Sequence, residues 1–236
     1  MSIAENVAAI RAQMQDAAQA AGRDPKSVLL CAATKMNDSQ AVRQAIAAGI
    51  DCCGENRVQE MTQKLSENAY AGCPLHFIGQ LQTNKVKQVV GKVSLIHSVD
   101  RLRLLEAIQA EACRQGITQD ILLEINIGRE AAKGGFAPEE VWDVLDKIPV
   151  FSNIRVRGLM AIPPICENPT GNHKFFQEMC NLSVDIMRKK SDNVCMDILS
   201  MGMSDDFADA IACGSTMIRV GTAIFGRRNY AQHHQQ

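Results

Sequence analysis

Short β-rich apolar runs alternate with longer segments of helical apolar spacing along the whole chain, and this alternation restricts the possible folds more than any other feature. The runs are Val28 to Thr34, Asp51 to Gly54, Leu75 to Gly79, Leu95 to Val99, Ile121 to Ile127, Val156 to Ile162, Asp197 to Met201 and Met217 to Val220. Between them lie Ala41 to Ala48, Val58 to Leu65, Lys85 to Val90, Leu102 to Cys113, Glu139 to Leu145, Phe175 to Met187 and Asp205 to Ala212. In one of these, Leu102, Leu105, Ile108 and Ala112 share a face, with Arg101, Arg103, Glu106 and Glu111 off it. Strands that are apolar throughout and joined by helices imply a parallel sheet covered on both faces. Eight such units predict a (β/α)8 TIM barrel, a fold of roughly 250 residues; this chain has 236. Thr222 to Gly226 leaves room for only a short last helix, so a doubly wound open sheet is the alternative.

An extra N-terminal helix is expected, because Ile3, Val7, Ile10 and Met14 recur at helical spacing. Ser2 with Glu5 is a capping-box pattern, and Gly22 then Pro25 close the segment, which therefore reads as lasting structure rather than a targeting signal. No repeat or linker interrupts the pattern. One barrel domain is expected over residues 1–226, with a polar tail over 227–236.

Charge and cysteine content narrow the function classes. Lysine plus arginine total 25 against 26 acidic residues, which leaves no net field to hold a polyanion, so no nucleic acid partner is expected. No apolar run approaches the roughly 20 residues a bilayer span needs, and no membrane association is expected. The nine cysteines are irregularly spaced without a C-x-x-C pair, a pattern that fits a reducing compartment and a cytoplasmic protein. Neither His97 nor the pair His233-His234 has companions at metal-ligand spacing, so no metal site is expected.

In a barrel, the functional site is built at the C-terminal ends of the strands. Lys35 follows the first run and so places an amine at that rim; partly desolvated, it becomes a nucleophile able to form a Schiff base. A solvated strand-end lysine is the bland alternative. Ser200 and Gly221-Thr222 follow runs seven and eight, where barrel enzymes often hold a phosphate on backbone N–H groups and hydroxyls. Closure of the barrel makes run eight the neighbour of run one, which expects Arg219 near Lys35. A Schiff-base lysine, a phosphate cup and an arginine together suit pyridoxal 5'-phosphate (PLP). An arginine facing the pyridine nitrogen keeps that nitrogen unprotonated, which weakens the ring as an electron sink.

Several blocks resemble a known family. They are Ala33-Thr34-Lys35, Gly54 to Glu60, His76 to Lys85, His97 to Asp100, Leu199 to Asp206 and Arg219 to Gly226. Together they are similar to the PLP homeostasis proteins, single-domain relatives of the alanine racemase N-terminal barrel, and the similarity covers nearly the whole chain. The resemblance implies a barrel with PLP covalently on Lys35, the ring nitrogen against Arg219, and phosphate near Ser200, Gly221 and Thr222. It also makes a position for Asn56 beside the cofactor plausible; the residue alone reads equally well as a cap for the helix that follows. The family usually has serine where this chain has Thr34, and Lys-Pro where it has Met36-Asn37.

Three functions follow for such a constellation. The first is a protein that holds PLP as a Schiff base in intracellular PLP homeostasis, buffering it or delivering it to PLP-dependent apo-enzymes, with little or no turnover. The second is an amino-acid racemase, which needs a second acid or base opposite Lys35; Tyr70 and Tyr230 are the only tyrosines, and neither is placed for that task. The third is a cofactor-free Schiff-base aldolase, in which Arg219 has no clear task. A monomer is expected.

Overall fold

The computed structural model describes residues 1–164 and 171–226. The expected tail over 227–236 lies outside the described residues. Eight strands form a closed parallel barrel in sequence order: β1 (Leu29–Ala33), β2 (Cys52–Glu55), β3 (Leu75–Phe77), β4 (Leu95–Val99), β5 (Gln119–Ile125), β6 (Ile154–Ala161), β7 (Val194–Ser200) and β8 (Met217–Val220). Closure runs through β1 and β8, with Leu29 opposite Met217 and Cys31 opposite Arg219. The doubly wound alternative is thereby excluded.

Helices cover the outside of the barrel: α1 (Ile3–Ala20), α2 (Ser39–Ala47), α3 (Val58–Ser66), α4 (Leu102–Gln115), α5 (Val141–Leu145), α6 (His173–Lys189), α7 (Phe207–Ala212) and α8 (Thr222–Phe225). The capping box forms as expected on α1: Glu5 N–H donates to Ser2 Oγ at 3.2 Å, and Ser2 N–H to Glu5 Oε2 at 2.7 Å. Because α8 is only one turn long, the seam between β8 and β1 needs another cover. α1 supplies it by burying Val7, Ile10, Met14 and Ala18 while packing on α2, α7 and α8, and Asn6 Nδ2 donates to Ile224 O at 2.8 Å.

Two expected elements differ. Lys85 to Val90 is not an α-helix; a 3-10 segment over Thr83–Gln88 stands there and buries only Val86, so no apolar helical face is packed to favour the α form. β7 begins at Val194 instead of Asp197, because Cys195 and Asp197 point to solvent at its start and hide it in a polar pattern. β6 and β7 approach closely at Gly158 (φ +152°), where an added Cβ would lie 1.7 Å from Ile198 O. Inside the barrel, Cys31, Cys52, Ile78 and Met217 form one apolar group and Leu95, Leu122 and Met160 another, with Ile198 packed against both.

Candidate functional site

Lys35 is half-buried in the turn that follows β1. The turn is held on both sides of the lysine: Asn37 N–H donates to Thr34 O at 3.2 Å, Asn37 Nδ2 to Lys35 O at 3.0 Å, and Met36 N–H to Glu60 Oε2 at 2.6 Å. Met36 adopts φ +61°, a left-handed conformation uncommon outside glycine, which these contacts maintain.

Beneath the turn lies a buried charged network. Glu55 Oε1 at the end of β2 accepts from Thr34 Oγ1 at 2.6 Å, Lys64 Nζ at 2.5 Å and Tyr70 OH at 3.0 Å, while Lys64 Nζ also donates to Thr34 O at 2.7 Å. The Glu55 side chain is 0% and the Lys64 side chain 6% exposed, so the pair is secluded from water. Burial and the Glu55 carboxylate push the Tyr70 hydroxyl far above its ordinary pKa. It serves as a donor to Glu55, not as a base.

Arg219 projects from β8 into the barrel and is fully secluded. Its Nη1 donates to Ser200 O at 2.8 Å and Ser200 Oγ at 2.6 Å, and its Nη2 to Ala161 O at 2.9 Å. Burial lowers its pKa, while Cys31, Glu124 and Asp206 act in the opposite direction. From Ser200 a hydrogen-bonded chain crosses the barrel: Ser200 Oγ meets His97 Nδ1 at 3.1 Å, and His97 Nε2 meets His76 Nδ1 at 3.0 Å. Guanidinium can only donate, so Ser200 Oγ accepts from Arg219. His97 is kept neutral mainly by burial, so one of its ring nitrogens donates and the other accepts along this chain. Cys31 stands at the far end and accepts hydrogen bonds from Cys52 and His76, which lower its thiol pKa against the opposing effect of burial.

A cavity of ≈ 300 Å³ opens at the C-terminal ends of β2 to β6, with Asn56, Gly79, Asp100, Glu124, Lys133 and Met160 in its wall. Asn56 Oδ1 is buried there without a hydrogen-bond partner. Such an atom costs free energy unless a ligand or water satisfies it. A Cβ on Gly79 would lie 2.2 Å from Asn56 O, so only glycine allows this wall to close up behind Asn56. Burial, reinforced by Asp100, raises the Glu124 carboxyl to about 7.

A model of the alanine racemase N-terminal domain family matches residues 6–229. A pyridoxal phosphate homeostasis protein of Aquifex aeolicus is 40% identical over 230 residues, covering 98% of this chain and all of that protein. Another from Pseudomonas aeruginosa is 40% identical and covers 97% of both chains. The chain belongs to the pyridoxal phosphate homeostasis family. Among solved structures, PipY of Synechococcus elongatus with PLP bound matches with a TM-score of 0.83 at 32% identity, over 95% of this chain and 100% of that one.

Within this homeostasis-family barrel the expected residues fall into three places. Lys35 and Gly221-Thr222 share the β8–β1 side of the mouth; a Cβ on Gly221 would touch Ala33 Cβ at 3.3 Å, so the two turns are in contact. Ile224 N–H and Phe225 N–H both donate to Gly221 O at 2.9 Å, which points the first amides of α8 out of the turn. Asn56 lies in the cavity wall. It does not cap α3, whose N-cap is Arg57 without a side-chain cap bond. Arg219 is level with Cys31, and its guanidinium reaches the ends of β6 and β7. The Ser200 hydroxyl accepts from Arg219 and meets His97 Nδ1.

Sequence reasoning missed Glu55, Lys64 and the two histidines as supporting groups. Lys64 looks like a surface residue of α3, although its i–9 relation to a glutamate at a strand end was the available signal. No helix among the described residues is long and apolar enough to cross a membrane.

Proposed function

We propose that the chain holds PLP as a Schiff base on Lys35 and acts in intracellular PLP homeostasis, buffering the cofactor or handing it to apo-enzymes, with little or no turnover. The single observation that carries this is the pairing of an amine held at the mouth with a secluded arginine aimed across it. The group fits the residues present: Asn56 Oδ1 lacks a partner in the wall of a cavity at the barrel mouth, and Gly79 lets the backbone pack closely behind it. When bound, PLP supplies an aldehyde for the amine and a pyridine ring able to take up electrons.

The residues of the chain would divide the work. Lys35 is the nucleophile, and the Glu55–Lys64–Thr34 network holds its turn in place. Arg219, which can only donate, would face the ring nitrogen and so disfavour a proton there. Ser200 and His97 hold the guanidinium in this orientation. Gly221 and Thr222 offer backbone N–H groups and a hydroxyl to the phosphate, with the Ser200 hydroxyl behind them holding Arg219. The cytoplasm is the compartment this reading places it in.

One observation favours a second reading, amino-acid racemisation. Glu124, raised to about 7, stands in the same cavity and could move a proton near neutral pH. Tyr70 is excluded from that role by its contact with Glu55. Titration with PLP, followed by visible absorbance, should give one equivalent of bound chromophore in the wild type and none in Lys35→Ala. Incubation with amino acids should then leave optical activity unchanged. Sustained loss of optical activity that disappears in both Lys35→Ala and Glu124→Gln would establish the racemase instead.

A further inference from the structure

On the outer layer, away from the barrel mouth, His173, Asp209 and Cys213 bring three potential metal ligands together, each atom within 4.8 Å of the others. Asp209 and Cys213 are one helical turn apart at the end of α7, and His173 is the first residue of α6. His173 Nδ1 lies 2.8 Å from Asp209 Oδ1 and 3.4 Å from Cys213 Sγ. A hydrolytic thiol–imidazole–carboxylate triad would place thiol and carboxylate on opposite ring nitrogens, so that one proton can pass along the line. Here both approach the same nitrogen. The three groups converge on a point, which is a ligand arrangement and not a relay.

One further observation points to an ion. Asp209 Oδ2 is buried without a hydrogen-bond partner beside this point. The other cluster of this kind, Cys31, Cys52 and His76, differs. All three of its residues are buried, and His76 is bonded to His97. His173 is exposed, so the outer cluster can be reached from solvent.

We propose that His173, Asp209 and Cys213 form a Zn(II) site with three protein ligands and a fourth, open position. One sulfur, one imidazole and one carboxylate suit this borderline cation better than Mg(II) or Ca(II), which select oxygen alone. On binding, Cys213 releases its thiol proton to solvent and His173 gives up the Nδ1 proton it shares with Asp209, holding its one ring proton on Nε2, so that thiolate, imidazole Nδ1 and carboxylate present lone pairs to the ion. The ion clasps the start of α6 to the end of α7, reinforcing the bond from Asn172 Nδ2 to Asp206 Oδ2 at 2.8 Å. Asp206 in turn accepts from Met203 N–H at 2.7 Å, in the loop that leaves β7. The clasp therefore steadies the segment that follows Ser200.

The test uses the full chain, stripped with a chelator, in a background where His233 and His234 are replaced by alanine so that the tail pair cannot contribute. Co(II) is titrated as the spectroscopic probe, followed by Zn(II) competition and by thermal melts with and without Zn(II). One equivalent of Co(II) should produce thiolate-to-cobalt charge-transfer absorption that Zn(II) abolishes and Cys213→Ser lacks. His173→Ala should weaken Zn(II) more than about tenfold and remove the stabilising effect of Zn(II) measured against that variant's own metal-free melt. The proposal is overturned by absorption that persists in both variants, by absorption lost only in Cys31→Ser or Cys52→Ser, or by no cobalt absorption at excess.

Discussion

Replacing Lys64 by methionine should destabilise the chain strongly, because it leaves the Glu55 carboxylate buried without its counter-ion. Methionine retains the apolar length of the side chain, so the loss isolates the ammonium. Breaking a buried ion pair from one side costs about 3–5 kcal/mol. Thr34 Oγ1 and Tyr70 OH continue to donate to Glu55 Oε1, which places the expected loss near the lower end, about 3 kcal/mol. In a chain of this size that corresponds to a fall in Tm of roughly 6–12 °C. The effect should reach the functional residue as well. Lys64 Nζ donates to Thr34 O, the carbonyl immediately before Lys35, so the turn loosens and PLP attaches more slowly. Adding Glu55→Gln removes the stranded charge, so the double variant should lose less than the sum of the singles, with a coupling of about 1 kcal/mol or more. Chemical denaturation of all four proteins measures this. A loss below about 1 kcal/mol in Lys64→Met, or strict additivity, would refute the reasoning.

Three more outcomes follow from the site. Glu124 is raised from 4.5 to about 7, so between those values the folded chain keeps a proton that the unfolded chain has released. Its contribution to stability is complete at the acid end and is lost as pH rises to about 7, by ~3 kcal/mol at most, so urea melts across that window should show a slope that Glu124→Gln lacks. Gly79→Ala drives a methyl into the Asn56 backbone and should cost about 1–3 kcal/mol and weaken PLP binding; an unchanged titration would show that this wall is not part of the site. Arg219→Glu should let the ring nitrogen take a proton, shifting the visible spectrum of the loaded protein and accelerating transamination, with Arg219→Gln as the uncharged control; an unaltered spectrum in both would remove Arg219 from the ring.

The barrel was legible because each strand is an unbroken apolar run and each helix has one apolar face, two patterns that survive without tertiary information. The exceptions are instructive. β7 starts among solvent-facing Cys195 and Asp197, and the segment around Val86 is too short for helical periodicity to separate 3-10 from α. Lys35 and the glycine-threonine turn could be read from position alone, since closure of the sheet dictates that β8 meets β1. Directions of side chains could not. Arg219 points across the barrel and claims the Ser200 hydroxyl, and Lys64 turns inward to Glu55; both depend on packing between strands far apart in sequence. Asn56 could be assigned to a cap or to a ligand from the sequence; the N-cap of α3 at Arg57 removes the cap, and the bare Oδ1 in the cavity leaves an acceptor there.

Reduction of the PLP-loaded protein with borohydride, followed by peptide mapping, tests the central claim most directly. A single pyridoxyl group on the peptide that carries Lys35, absent from Lys35→Ala, is the result the account predicts. A pyridoxyl group on another lysine, or none on a protein that has taken up PLP, would contradict it.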